Sequence, residues 1–577
     1  MKGFLLAILA LSSSLAQARQ AADTPHITPF EKSGFRATAS YEECRDWYFA
    51  LQRAYPEQCS IDSMGISDGG FPIFVFRISA YPESATPLRV LIMNNIHPGE
   101  PEGTDASMLL ARRILENKKG AWDAVRNGID LHIICQYNID GTVNRGCCSR
   151  ANQNGPDNYG FRANARNLDL NRDFAKADSK NAQAFARYFA RYKFHLFVDN
   201  HTSNGADYQY TLTWFHTRPE KLHNALVAPL ESLASRTEKV LLQRGYPTAP
   251  YVETRRNVPD SGIVAFWETP RFATGYAAMH HCLGFTVETH MWKPFEDRVW
   301  ATLEFEEVFL RNAVELQEDI FIAWRKAALD NSPIRGNRKE YIAWKLDETR
   351  CDSVNFKGYT FNYVVHPVTG LPLLHYTNTP WQMNIPYYKH FIPTDSVLMP
   401  RMYFIPQAWR EVVFRLQNQG IDMRRLTQDS LWQLRATYIQ QYQTGKNPYE
   451  GHYLHSQVQT RDTFIPVQLY RGDYYVIVTP ANRQALAQLL EPRSPDSYFA
   501  WGFFDAVLQQ KEGFSDYVWA DKAQELLEAD PMLMARFQVK KKDPVFAADS
   551  WAQLSWIYKN SRWYEPSHNR VPVYRMD

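Results

Sequence analysis

The segment Ile96-His97-Pro98-Gly99-Glu100 sets an imidazole and a carboxylate three residues apart, just past the apolar run RVLIMNN at 89–95. A neutral imidazole and a carboxylate at that spacing can share one metal ion. Alone the pair is two common residues close together. A second imidazole, His201, closes another apolar run (His195-Leu196-Phe197-Val198-Asp199-Asn200) and turns the pair into a set. Two His and one Glu leave one zinc position open for water or substrate, the arrangement of a hydrolytic rather than a structural site. Hydrolysis also needs a base to accept the water's proton. Glu288 ends the run Leu283-Gly284-Phe285-Thr286-Val287, where a core strand does not ordinarily finish in a carboxylate, and reads as that base. The bland alternative is a capping or salt-bridging glutamate. His280, His281 and His290 lie near but close no HxxE or HExxH pattern, and His290 reads as structural or as a support for a ligand. Two further stretches, Ser149-Arg150-Ala151-Asn152 and Asn167-Leu168-Asp169-Leu170-Asn171-Arg172-Asp173, carry arginines among turn-forming residues. Guanidinium groups grip carboxylates bidentately or hold an oxyanion, although either arginine taken singly is explained by solvent exposure.

These residues need a scaffold that brings distant segments together. From 88 onward, strand-like runs (89–95, 129–137, 195–200 and 283–288) alternate with helical patterns (103–116, 179–192, 219–244 and 295–328). That alternation predicts an α/β fold, a mixed twisted sheet flanked by helices on both faces, with the site at the C-terminal ends of the strands. The helical pattern breaks at 331–337 (NSPIRGN), and Tyr, Trp, Pro and Gln become commoner beyond it. The chain therefore divides into 1–18, 19–330 and 331–577, the last an α+β accessory unit with a strand at 474–479 and helices at 481–490 and 521–527. Its Lys540-Lys541-Lys542-Asp543 run reads as a solvated turn.

The 577 residues are 45% apolar and 22% charged, which excludes a disordered or collagen-like chain. A net charge of +2 gives no field that would gather nucleic acid. The aromatic share, 14%, marks broad packing or stacking surfaces without naming their purpose. Met1-Lys2, an apolar stretch over 4–15 and Ala16-Gln17-Ala18 read as a secretory signal peptide, so the expected location is secreted or periplasmic, with no membrane span. Seven cysteines without a CxxC pair exclude a thiolate zinc cluster, and Cys44 with Cys59 is a possible bridge. One motif misleads: Gly65-Ile66-Ser67-Asp68-Gly69 matches the G-x-S-x-G nucleophile elbow, but the strand-like FPIFVFRI that follows makes it a hairpin turn.

The order His97–Glu100, Arg150, Asn171-Arg172, His201, Glu288 resembles the zinc metallocarboxypeptidases of the carboxypeptidase A/B family, here as a secreted bacterial-type member with a C-terminal extension. The likeness covers about 41–324. It implies one Zn2+ per chain held by His97, Glu100 and His201, with Asp169 orienting a ligating imidazole. By the same likeness Arg150 would polarise the scissile carbonyl, with Arg162 and Arg166 as competitors for that place. Asn171 and Arg172 would bind the free C-terminal carboxylate of a peptide substrate, and Glu288 would be base and then acid. The family's substrate-capping tyrosine has Tyr276 as its candidate, and the specificity pocket does not align. Two other functions fit the same residues: a zinc amidase acting on peptidoglycan stem peptides or N-acyl amino acids, and a non-catalytic peptide-binding protein on the same scaffold.

Overall fold

The computed structural model describes residues 26–577 except 84, 118–119, 331 and 334–337. The signal peptide read at 1–18 and most of the 331–337 break lie outside the described residues. The central sheet has eight strands: β1 (Cys59–Ile66), β2 (Pro72–Ile78), β3 (Leu88–Met93), β4 (Ile129–Ile134), β5 (Leu196–Ser203), β6 (Leu212–His216), β7 (Thr248–Pro250) and β8 (Leu283–His290). Their order across the sheet is β1-β2-β4-β3-β5-β8-β6-β7. The four central strands β4, β3, β5 and β8 run parallel, while β2 and β6 flank them antiparallel. The sheet is mixed, as the alternation of runs requires.

The parallel strands are buried on both faces, which is why they read as continuous apolar runs instead of alternating ones. Helices α1 (Tyr41–Ala54), α2 (Glu102–Glu116), α3 (Lys180–Tyr192), α4 (Asn224–Gln243), α5 (Ala273–Met279), α6 (Phe295–Glu315) and α7 (Gln317–Ala328) cover them. The pleat sends Val90 and Ile92 into a core shared with Leu109, Leu230 and Phe309, and Leu91 and Met93 into one shared with Phe185, Phe189 and Tyr276. The long helical pattern at 295–328 is two helices, broken at Leu316. Between β1 and β2 the G-x-S-x-G segment is the connection of an antiparallel hairpin. Ser67 is fully buried, its Oγ accepting from Phe71 N at 3.0 Å, so no nucleophile is presented.

Beyond the break the chain is α+β. Arg338–Leu346 pairs with Phe391–Met399, and Asp352–Val365 with Pro372–Tyr388 form a long hairpin. A six-stranded sheet carries a second long hairpin, Ser430–Thr444 with His455–Leu469. This region shares apolar contacts with the central sheet: Ile342, Tyr403, Leu486 and Phe499 belong to the same cluster as Phe185 and Tyr276. Residues Ile263–Val264 extend the first long hairpin as an added strand. Helices Asp516–Ala529, Pro531–Lys540 and Ser550–Lys559 form a small core of their own around Trp519, Phe537 and Tyr558, and Lys541 to Asp543 are the exposed turn that follows Lys540.

The cysteines depart from expectation. Cys44 and Cys59 are both buried and unpaired, and among the described residues the disulfide joins Cys147 to Cys148. The Cys59 thiol donates to Tyr55 O at 3.2 Å and Cys44 lies against Cys135, so neither reaches the other.

Candidate active site

The parallel register sets Glu288 opposite His201 and Thr286 opposite Asp199. Since alternate residues of a strand share a face, Asp199, His201, Thr286 and Glu288 line one patch at the C-terminal ends of β5 and β8. The chain leaving β3 turns through Asn95, whose φ of 57° is left-handed, and brings His97 and Glu100 over the same strand ends. One ligand atom from each of His97, Glu100 and His201 lies within 4.8 Å of the others, and all three residues are buried. The Nδ1 of His97 is 3.2 Å from Glu100 Oε1, and the Nδ1 of His201 is 3.0 Å from Glu100 Oε2. Their far nitrogens are braced by carboxylates: His97 Nε2 on Asp169 Oδ1 at 3.0 Å, His201 Nε2 on Asp199 Oδ2 at 2.8 Å. Bracing by a carboxylate fixes the orientation of a metal-binding imidazole and raises its basicity. Among the described residues His97 Nδ1 is buried without a hydrogen-bond partner. An orphaned imidazole nitrogen, a second imidazole and a carboxylate converging on one point fit a zinc ion.

Charge is unevenly shared here. Burial pushes the Glu100 carboxyl up, but Arg150, His97 and His201 outweigh it and hold the group well below the usual carboxylate range. Burial opposes ionisation of Asp169 too, and is overcome by His97, Arg162 and Arg172. His201 is held well above the ordinary histidine value because Asp199 and Glu100 outweigh its burial. Glu288 goes the other way: burial, joined by the neighbouring charges of Glu100 and Asp199, lifts it to about 8 against the pull of His201.

These groups open onto a cleft of about 540 Å³. Arg150, Arg162, Asn171 and Arg172 all line it. Arg150 is committed on all sides: Nη1 donates to Glu100 Oε1 at 2.6 Å, Nη2 to Thr202 O at 2.8 Å and Nε to Gln153 Oε1 at 2.6 Å. Arg162 holds Asp169 Oδ2 through Nε at 3.0 Å but is 44% exposed, against 14% for Arg150. Arg166, the third candidate, donates to Asp178 O and does not line the cleft. Arg172 lies over the Phe272 ring at 4.5 Å, with Nη1 donating to Asn171 O at 2.9 Å.

Tyr276 requires correction. It is fully buried among Phe174, Phe185 and Phe189, with its hydroxyl on Gln419, and does not reach the cleft, so it cannot cap a substrate. Tyr251 lines the cleft instead, where burial and then the nearby Glu288 push its phenol above the ordinary value. No pattern in the loop after β7 announces it. With Phe215, Phe266 and Phe272 also in the wall, aromatic residues form much of the cleft, which the sequence motifs gave no reason to expect. The sequence also left Asp199 unassigned, although its place two residues before His201 on one strand was the available signal. His280, His281 and His290 bond to Gln419, Ala481 O and Ala206 O and play no part in the triad.

Residues 44–289 match the zinc carboxypeptidase family model. The chain carries a zinc carboxypeptidase domain. The matched span ends one residue past Glu288 and holds the triad, the arginine candidates and Asn171. "Carboxypeptidase 2" of Trichophyton rubrum is 23% identical over 437 residues, 73% of this chain and 74% of that protein. "Carboxypeptidase D" of Drosophila melanogaster is 31% identical over 140 residues, 24% of this chain and 10% of that protein. Among solved structures, the metallo-carboxypeptidase from Burkholderia cenocepacia aligns with a TM-score of 0.37 at 18% identity, covering 49% of this chain and 70% of that one. By this match the domain is a zinc metallopeptidase. No helix among the described residues is long and apolar enough to cross a membrane.

Proposed function

We propose that the zinc carboxypeptidase domain removes the C-terminal residue of peptides, with His97, Glu100 and His201 holding one zinc ion and Glu288 as general base. The observation that carries this reading is the presence, in one cleft, of the metal-binding triad, a facing carboxylate and the Asn171-Arg172 pair. Zinc, when bound, supplies Lewis acidity toward water and the scissile carbonyl. The carboxylate of Glu288 accepts a proton from water and returns it to the leaving amine. A carboxyl that burial has already lifted has the proton affinity this task needs, and a bound dication would draw it back toward neutrality. The guanidinium of Arg172, with the Asn171 amide, binds the substrate's free carboxylate and so fixes which bond lies over the strand ends. Of the two arginines that can hold the carbonyl oxygen, Arg162 has the more open guanidinium and Arg150 braces Glu100. Phe215, Tyr251 and Phe272 wall the space in which the departing residue's side chain would sit. The signal-peptide pattern at 1–18 supports action outside the cytoplasm.

The test is chelator-reversible cleavage of one peptide with its C-terminus free or amidated. Cleavage confined to the free form, lost with chelator and restored by zinc, is expected. Equal cleavage of the amidated form would remove Arg172 from the role given to it.

A further inference from the structure

The tip of the second C-terminal hairpin, between Ser430–Thr444 and His455–Leu469, does not project into solvent. It lies on the loop that carries Asp169, Asn171 and Arg172. Glu450 Oε2 accepts the backbone N–H of Asp169 at 2.7 Å. Two residues on, His452 Nε2 bonds Asp178 Oδ2 at 2.6 Å, where Asp178 also holds Lys176 and Arg415. Tyr449 stacks on Trp501, with centroids 6.1 Å apart, and Arg271 covers that ring at 4.9 Å while pairing with Asp496. Arg271 is in turn followed by Phe272, the ring beneath Arg172. The two segments meet in unusual backbone. Asn167 (φ 59°) and Glu450 (φ 50°) are both left-handed without being glycine, a conformation kept only where surrounding contacts determine it.

We propose that Glu450 is a positioning residue of the active site, so that the C-terminal region completes the carboxypeptidase cleft. Asp169 has two duties: its Oδ1 orients His97, and its Oδ2 holds Arg162 and lies 3.9 Å from Arg172. Both depend on where its backbone sits. The central sheet does not set that position, because Asp169 only begins a three-residue 3-10 turn, Leu170–Arg172. The Glu450 carboxylate anchors it from outside the domain that holds the triad. A charge-assisted bond to a backbone N–H is strong and directional, and among the described residues no other partner takes that N–H. Neither the triad nor the clamp is touched by Glu450 itself, so its effect passes through Asp169.

The inference rests on the proposed zinc site for its affinity arm and on the carboxypeptidase reading for its substrate arm, and the test keeps the two separable. Zinc dissociation would be measured by chelator competition, together with kcat and KM on a free-carboxylate peptide, for wild type, Glu450→Ala and Glu450→Gln. The alanine variant should bind zinc about tenfold more weakly, the lower end of what supporting partners of metal ligands contribute. Its KM should rise severalfold with a smaller change in kcat. Glutamine, whose amide oxygen still accepts the Asp169 N–H, should restore both. Glu450→Asp, which withdraws the acceptor by one methylene, gives the same directions should the alanine variant fail to fold. Unchanged zinc affinity and KM in the alanine or aspartate variant, or a glutamine variant as impaired as alanine, would overturn the proposal. Weakened zinc binding in an enzyme whose wild type ignores free-carboxylate peptides would leave the positioning role standing and refute the substrate reading.

Discussion

Asp199, His201 and Glu288 stand on two parallel strands whose register fixes them side by side, whereas Arg150, Arg162, Asn171 and Arg172 stand on connecting segments whose regular structure nearby is one 3-10 turn. Asp199 and His201 are buried, Glu288 is partly so at the strand's end, and each His201 nitrogen faces a carboxylate. The loop-borne arginines, of which Arg162 is the most open, hold their places through ion pairs with Glu100 and Asp169. The general base and one metal ligand therefore stand on the stiff part of the molecule, while His97 and Glu100, like the recognition groups, stand on segments that need bracing. A strand position tolerates little adjustment, since sheet register moves whole strands. A loop position can be tuned by a single contact, as Glu450 does for Asp169.

The largest effects should separate the two arginines. Arg162→Met is expected to lower kcat by about 10²–10³, the usual cost of losing an oxyanion donor, while zinc stays bound. Arg150→Met should act mainly on the metal site by removing the nearer of the two guanidinium groups on Glu100 Oε1, and should show in zinc affinity first. The reverse pattern in kinetics and metal analysis would exchange their roles. Asp199→Asn should weaken zinc binding by about 10–100-fold, read by chelator competition, because it removes the brace on His201. An unchanged affinity would mean that the strand alone orients the imidazole.

The smallest expected effect on turnover lies on the opposite face of β5, away from the cleft. There Glu306, from α6, accepts from Ser107 Oγ at 2.8 Å and Asn200 Nδ2 at 2.9 Å, and burial lifts its carboxyl to about 8. A folded-state pKa above the unfolded one means that the folded state keeps its proton while the unfolded state releases it. This group's contribution is thus fully present below pH 4.5 and falls as pH rises to about 8. The stability difference between wild type and Glu306→Gln should shrink by up to about 1.4 kcal/mol per pH unit across that window. Denaturant titrations at several pH values give the slope, and a pH-independent difference would show that Glu306 is ionised when folded.

The division between strand and loop also explains what could be read in the chain beforehand. Apolar runs ending in His201 and Glu288 announced strands that finish at a site, and the sheet, its flanking helices and the triad follow from them. His97 and Glu100 were legible because local spacing carries a ligand pair whatever the fold. Arg150 could not be told from Arg162, since both sit among Gly, Asn and Pro without periodicity, and only exposure and partners distinguish them. Tyr276 misled because closeness to Glu288 in sequence says nothing about side-chain direction, and α5 turns that ring into the core. Tyr251 reaches the cleft, and Glu450 the loop that carries Asp169, through long-range packing, for which one sequence holds no local signal. The aromatic excess likewise proves to be divided, with Phe215, Phe266 and Phe272 in the cleft wall and Trp501 beneath the hairpin tip.

The central claim is that the strand ends hold a metal and a separate base. It is met most directly by measuring zinc content and turnover together in Glu288→Gln. One zinc per chain should remain, and hydrolysis of a free-carboxylate peptide should fall by at least about a hundredfold, as loss of a positioned general base requires. A glutamine variant that keeps wild-type turnover would contradict the account.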